Sequence, residues 1–270
     1  MDSGGTLPFS DAIRISLVIP AHNEEGLLPR LLDSVEAARE RWRHGVDETE
    51  VIVVDNVSTD RTAAVAEERD CRVVTVKERR IASVRNGGAA VARGEILCFV
   101  DADSELHPET FNAIEDALST GRVVAGASGV RMERWSLGIA VTYALFVPMV
   151  WLTRMDTGVV FCRRRDFEAV GGYDERRFFG EDVQLLWDLR RIGRSRGERL
   201  TRLRTVKALG STRKFDVHGD WHYFSDLFRL VPKMMWSPSA TGEFAEKYWY
   251  GEQRTPERNA RTSKELRFKS

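Results

Sequence analysis

Four short apolar runs divide the first hundred residues of this 270-residue chain. Ile15-Ser16-Leu17-Val18-Ile19 stops at Pro20, and Val51-Ile52-Val53-Val54 closes on Asp55. Val73-Val74-Thr75-Val76 and Ile96 to Val100 follow. The runs are continuous rather than alternating, so each reads as a strand buried on both faces. Between them Leu27, Leu28, Leu31, Leu32, Val35 and Ala38 recur at helical spacing. Ser58 and Thr59 stand where they would cap a second helix reaching about Arg69, and residues 82–92 read as a third. Strands alternating with helices predict an α/β chain with a mostly parallel sheet flanked by helices. Such sheets bind ligands beyond the carboxyl ends of their strands.

Polar clusters follow those ends. They are Asn23 with Glu24, Asp55 to Asp60, and the acids of "CFVDADSEL", Asp101 and Asp103. One rim should gather all three. Two carboxylates on one turn stay ionised together only beside a cation. Oxygen ligands favour Mg²⁺ or Mn²⁺, ions that take further ligands from water and substrate phosphates. The competing reading is that the acids cap a helix beginning near Pro108. No G-x-G-x-x-G follows the first strand and no G-x-x-x-x-G-K-[ST] occurs, which disfavours a dinucleotide enzyme or a P-loop NTPase.

A second acidic pair opens "FFGEDVQLLWDLRRIG", where Val183, Leu186 and Leu189 mark an apolar helical face. Glu181 and Asp182 sit at the helix start, where the positive end of the helix dipole favours carboxylates. Plain capping competes here with a chemical role. Gly171-Gly172-Tyr173-Asp174, just upstream, reads as a tight turn.

Taken in order, "SLVIPAHNEE", "VIVVDNVSTDRT", "ASVRNGGAAVARGEILCFVDADS", "GGYDE" and "FFGEDVQLLWDLRRIG" resemble the family 2 glycosyltransferases of the GT-A fold, across roughly residues 14–195. The resemblance implies a Rossmann-like single domain with a C-terminal helical extension. It implies transfer of a sugar from a nucleotide-sugar donor to a hydroxyl acceptor, with inversion. Pro20, Ala21, Asn23, Glu24 and Asp55 would line the nucleoside pocket, with Arg85, Asp101, Ala102 and the later Arg213 on the donor. Asp103, Asp101 and His218 would hold Mg²⁺ or Mn²⁺. Asp182 would be the general base, and Glu181 would orient it or the acceptor. Asp156, Thr157 and Gly158 would line the same space. The acceptor stays open among a glycan, a lipid-linked molecule and a small molecule, and a homodimer stays open too. Rival readings are a retaining transferase or nucleotidyltransferase of the same fold, and a silent nucleotide- or glycan-binding module.

Charge and composition set limits. Forty-one basic residues balance forty-one acidic ones, which argues against a nucleic-acid binder. From Arg194 to Lys214 eight basic residues face one acid, Glu198, and read as a solvated face ahead of an anion-binding one. Three scattered cysteines fit a reducing compartment, and the N-terminus lacks signal-peptide character, so the expected location is cytoplasmic. Residues 135–153 carry no charge. One membrane crossing there would part Asp103 from Asp182, so the stretch reads as a buried or acceptor-lining helix. An interfacial segment at the inner face of the membrane is the second reading. Residues 1–13 and 251–270 read as flexible ends, and 14–250 as the domain, with a nucleotide-binding half to 103 and an acceptor half after it. The late aromatics Trp221, Tyr223, Phe224, Phe228, Trp236, Trp249 and Tyr250 read as a packing cluster.

Overall fold

A computed structural model describes residues 13–144, 155–177 and 180–221. The chain falls into two compact units, residues 1–212 and 213–270, each described by itself. In the first unit β1 (Ile15–Ala21), α1 (Leu28–Glu40), β2 (Thr49–Asp55), α2 (Thr62–Glu67), β3 (Arg72–Thr75), α3 (Ile81–Val91) and β4 (Ile96–Phe99) follow one another. This is the alternation expected from the apolar runs. One detail differs. No side chain caps α2 at its N-cap, Arg61. The Ser58 hydroxyl instead accepts the Asn23 N–H at 3.0 Å, and the Thr59 N–H donates to Asn23 Oδ1 at 2.8 Å.

The second half supplies β5 (Ser104–Glu105), α4 (Thr110–Ser119), β6 (Val123–Met132), α5 (residues 137–144), β7 (Val160–Arg163), α6 (Arg164–Val170), α7 (Glu181–Ser195) and β8 (Arg199–Gly210). Helix α8 (Arg213–His218) belongs to the second unit. The strand order is β3-β2-β1-β4-β7-β6-β8-β5. The pairs β1–β2, β1–β4, β2–β3 and β6–β8 are parallel, while β7 runs antiparallel to both β4 and β6. Strand β5 also runs antiparallel to β8, so the sheet is mostly parallel with two reversed strands, β7 at its centre and β5 at its edge.

Both faces of β1, β2 and β4 are covered, which is why their centres are apolar, whereas the edge strand β3 is only half-buried. Leu17, Ile19 and Val53 pack with Leu28, Leu31, Phe111 and Ile114 on one side. Val18, Ile52, Val54 and Phe99 pack with Ala82, Val84, Leu185 and Leu189 on the other. Helix α3 lies hard against the sheet at Gly88. A Cβ there would stand 2.4 Å from Val18 Cγ1 and 2.6 Å from Val54 Cγ2. Arg85, one helical turn earlier, is carried on the same buried face.

Among the described residues no helix is long and apolar enough to cross a membrane. Helix α5 covers the start of the uncharged stretch, burying Ile139 and Thr142 and exposing Leu137 and Val141. Residues 145–154 lie outside the described residues, as do both chain ends and the late aromatics after Trp221.

Candidate active site

Strand register assembles the rim. Ala21 pairs with Asp55 across β1–β2, and Val18 pairs with Phe99 across β1–β4. Two residues beyond that second pair, Asp101 stands level with Pro20. Phe99 also pairs with Val160 of antiparallel β7, so Gly158 stands level with Asp101. The first three polar clusters thus share one edge of the sheet, and the 156–158 segment reaches it from the other side. Asp156 itself is buried and ion-paired with Arg202.

The loops at this edge are tied to each other. Asn23 adopts a left-handed conformation at φ +53°. The Glu24 N–H donates to Thr62 Oγ1 at 2.7 Å, and the Ser58 N–H reaches the Asp55 carboxylate at 3.3 Å. Buried Asn56 donates through Nδ2 to the carbonyls of Val76 and Glu78 at 2.7 and 3.0 Å. In the sequence Asn56 is legible only as one member of the 55–60 polar cluster.

Asp101 and Asp103 lie in a turn between β4 and β5, closed by the Ser104 N–H on the Asp101 carbonyl at 3.1 Å. Helix α4 begins only at Thr110, with Glu109 as its N-cap. The capping reading of these acids therefore falls. Ala102 between them is buried, while the Asp101 side chain keeps 48% of its surface exposed.

Arg85 joins the two acidic pairs. Its Nη2 donates to Asp101 Oδ1 at 2.8 Å. Its Nη1 donates to Glu181 Oε1 at 2.8 Å and to Asp182 Oδ1 at 3.0 Å. The Arg85 side chain is only 5% exposed, and its Nε is buried with no partner. Burial works against its charge, but the Asp182, Asp101 and Glu181 carboxylates hold its pKa well above the ordinary value. Gly180, in the left-handed region at φ +68°, is the N-cap of α7 and offers no side-chain cap. Glu181 and Asp182 thus turn to Arg85, where the capping reading would have them close the helix end.

Tyr173 completes the cluster. Its Oη donates to Asp182 Oδ1 at 2.9 Å, and the Arg85 guanidinium carbon lies 5.3 Å from its ring centroid. Burial pushes the Asp182 carboxyl up against the pull of Arg85. Glu181 and Asp101 add to the rise, the Tyr173 hydroxyl resists it, and the carboxyl titrates near about 6. The protein itself thus provides the burial that a base at a helix N-terminus requires.

The loop bearing Tyr173 is held to α3. Asn86 accepts the Tyr173 N–H at 2.9 Å and donates to its carbonyl at 3.0 Å. Asn86 Nδ2 also reaches Glu175 Oε1 at 2.8 Å, and the Ser83 hydroxyl reaches Glu175 Oε2 at 3.0 Å. Gly171 and Gly172, both left-handed, make the approach. Asn86 and Glu175 were not legible as site residues. The only sequence signal was their position in "VRNGG" and "GGYDE".

Arg213 and His218 lie on α8, in the second unit, and the His218 side chain lies outside the described residues. No group of three or more His, Cys, Asp or Glu side chains able to hold a metal occurs among the described residues. Asp101 and Asp103 do offer hard carboxylate oxygens on one partly exposed turn. That donor set suits Mg²⁺ or Mn²⁺ taking its other ligands from water and a diphosphate.

Residues 16–143 match the family model for glycosyl transferase family 2. That match spans 128 of the 270 residues. Among its relatives, a 4,4'-diaponeurosporenoate glycosyltransferase of Staphylococcus haemolyticus is 38% identical over 102 residues, covering 35% of this chain and 25% of that protein. An undecaprenyl-phosphate 4-deoxy-4-formamido-L-arabinose transferase of Pseudomonas fluorescens is 34% identical over 119 residues, covering 42% and 34%. The chain thus aligns with a minor part of each relative. Among solved structures, a mannosyltransferase from Pyrobaculum calidifontis in complex with GDP-Man and Mn²⁺ superposes with a TM-score of 0.58 at 22% identity, covering 74% of this chain and 57% of that one. Glucosyl-3-phosphoglycerate synthase from Mycobacterium tuberculosis gives 0.55 at 20% identity, covering 78% and 76%. These likenesses concern the fold, which is GT-A.

Proposed function

We propose that this chain is a family 2 glycosyltransferase that moves a sugar from a nucleotide-sugar donor to a hydroxyl acceptor, with a divalent metal, inversion at the anomeric carbon, and Asp182 as general base. The observation that carries the reading is the single guanidinium of Arg85, within 3.0 Å of both Asp101 and Asp182. In this reading the donor-side acid and the acceptor-side acid meet through one guanidinium.

In this reading residues 14–103 hold the nucleotide. Pro20, Ala21, Asn23, Glu24 and Asp55 line the nucleoside, and Arg85 and Ala102 stand by the donor. Asp103 and Asp101 would hold Mg²⁺ or Mn²⁺. Residues 104–250 receive the acceptor. A cation held by Asp103 and Asp101 would supply positive charge to offset that building on the departing diphosphate. Asp182 accepts the proton of the acceptor hydroxyl, and Glu181 shares Arg85 with it and fixes its orientation. A carboxyl titrating near about 6 is suited to this at neutral pH, being mostly ionised yet more basic than a free aspartate.

The same feature bears on the acceptor. A phosphate oxygen is already ionised at neutral pH and needs no base, whereas an alcohol does. The setting of Asp182 favours an alcohol, unlike the lipid phosphates in the names of two relatives, the arabinose transferase and a dolichol-phosphate mannosyltransferase of Pyrococcus furiosus. A hydroxyl-bearing lipid at the membrane face remains within this reading.

Thermal melts across a panel of sugar nucleotides, with and without Mn²⁺, test the proposal. A specific donor stabilises the folded chain in proportion to its occupancy. Asp103→Ala should abolish that stabilisation. Asp182→Asn should retain it and lose turnover by about 10²-fold or more. Near-normal turnover in Asp182→Asn would overturn the base assignment, and a product with retained configuration would overturn the inversion.

A further inference from the structure

Two donors reach Asp182, and both reach the same oxygen. Arg85 Nη1 lies 3.0 Å and Tyr173 Oη 2.9 Å from Oδ1. Oδ2 accepts no hydrogen bond among the described residues. The Asp182 side chain keeps 13% of its surface exposed, which leaves Oδ2 as the oxygen open to an incoming group. A carboxylate free to rotate would offer its two oxygens alternately. This one is pinned by one of them.

The pin is rigid. The Tyr173 ring is 2% exposed and packs edge-on against Phe99 at 5.1 Å and against Phe167 at 5.8 Å. Its backbone is held on both sides by Asn86. No bland packing role requires the hydroxyl, because a phenyl ring would fill the same space. The hydroxyl serves Asp182.

We propose that Tyr173 is a positioning residue for the reaction: with Arg85 it occupies Oδ1 and reserves Oδ2 for the proton of the incoming alcohol. The inference rests on Asp182 being the base. In the step itself the acceptor O–H bond breaks and its proton moves to Oδ2. The alcohol oxygen forms the bond to the anomeric carbon, and the bond from that carbon to the diphosphate oxygen breaks, its electron pair leaving with the diphosphate. Tyr173 keeps its own proton throughout.

Tyr173→Phe keeps the ring and removes the hydroxyl. Its kcat should fall roughly tenfold while donor KM stays within about twofold, since only the orientation of the base is lost. The acid limb of the kcat profile should also move to higher pH. The groups facing the carboxylate are Arg85, Glu181, Asp101 and Tyr173, and of these Arg85 and Tyr173 favour its ionised form. Wild-type kcat with an unmoved limb would overturn the inference. Should Tyr173→Phe not fold, Asn86→Ala frees the same loop without touching the ring, and unchanged kcat and limb there would overturn it equally. If Asp182→Asn turns over normally, the base reading itself has failed. If Asp182→Asn is inactive and Tyr173→Phe is wild type, only the positioning role has failed.

Discussion

Asp182→Asn should make this protein more stable while it disables the site. The ordinary aspartate value of 3.8 is raised to about 6 in the folded chain. The folded state therefore holds that proton more tightly than the unfolded state. Stability must fall as pH rises from about 4 to about 6, and the loss persists above that window. Two pK units correspond to about 3 kcal/mol at neutral pH, an upper bound because Asp101, Glu181 and Asp182 share one guanidinium. Asparagine removes the ionisation without leaving a donor unpaired. Its amide oxygen can take both the Arg85 and the Tyr173 hydrogen bond, as Oδ1 does now, and its NH₂ takes the open position. The expected gain in Tm is several degrees and at most about 10 °C at neutral pH, and near zero at about pH 4, where the wild-type carboxyl is itself protonated. Melts of both proteins across that range read the difference directly. An Asn variant that melts below wild type at neutral pH, or a gap that does not change with pH, would refute the reasoning.

Two glycines give further tests. Gly88→Ala puts a methyl group 2.4 Å from Val18 Cγ1 and should cost about 1–3 kcal/mol in urea unfolding as α3 lifts from the sheet. Donor-induced stabilisation should weaken in the same variant, since α3 carries Arg85. Gly172→Ala meets both a φ of +75° and Asn86 Oδ1 at 2.7 Å. It should cost about 1–2 kcal/mol and lower kcat, because the loop it strains carries Tyr173. A Gly172→Ala protein with wild-type melting and turnover would show that the loop tolerates both.

Strands β1, β2 and β4 were readable because each is buried on both faces and so writes an apolar run, and the half-buried edge strand β3 was readable from its valines. The later strands were not. In β8, Leu200, Leu203, Val206 and Ala208 are buried while Arg199, Arg204 and Lys207 are exposed. The stretch looked like a charged surface because half of it is one. The acids of the site were readable from their places after β4 and at the head of α7. What joins them was not. Arg85 was expected near a nucleotide, yet nothing in the order of residues says that its guanidinium would meet Glu181 and Asp182, nearly a hundred positions on. Tyr173 read as part of a turn. A buried hydroxyl shows its purpose only when packing has chosen its partner.

The reversed strand β7 has a consequence for how the chain can be cut or made. It separates β4 from β6 and comes after both in sequence. A fragment ending at residue 143, where the family match stops, would keep β6 but lose β7 and β8, its two neighbours in the sheet. Ile96 to Phe99 would become a bare apolar edge, the kind that recruits other chains. During synthesis the first four strands must then wait with that edge open until about sixty more residues emerge, so this interval is where a chaperone would be needed and where aggregation would begin.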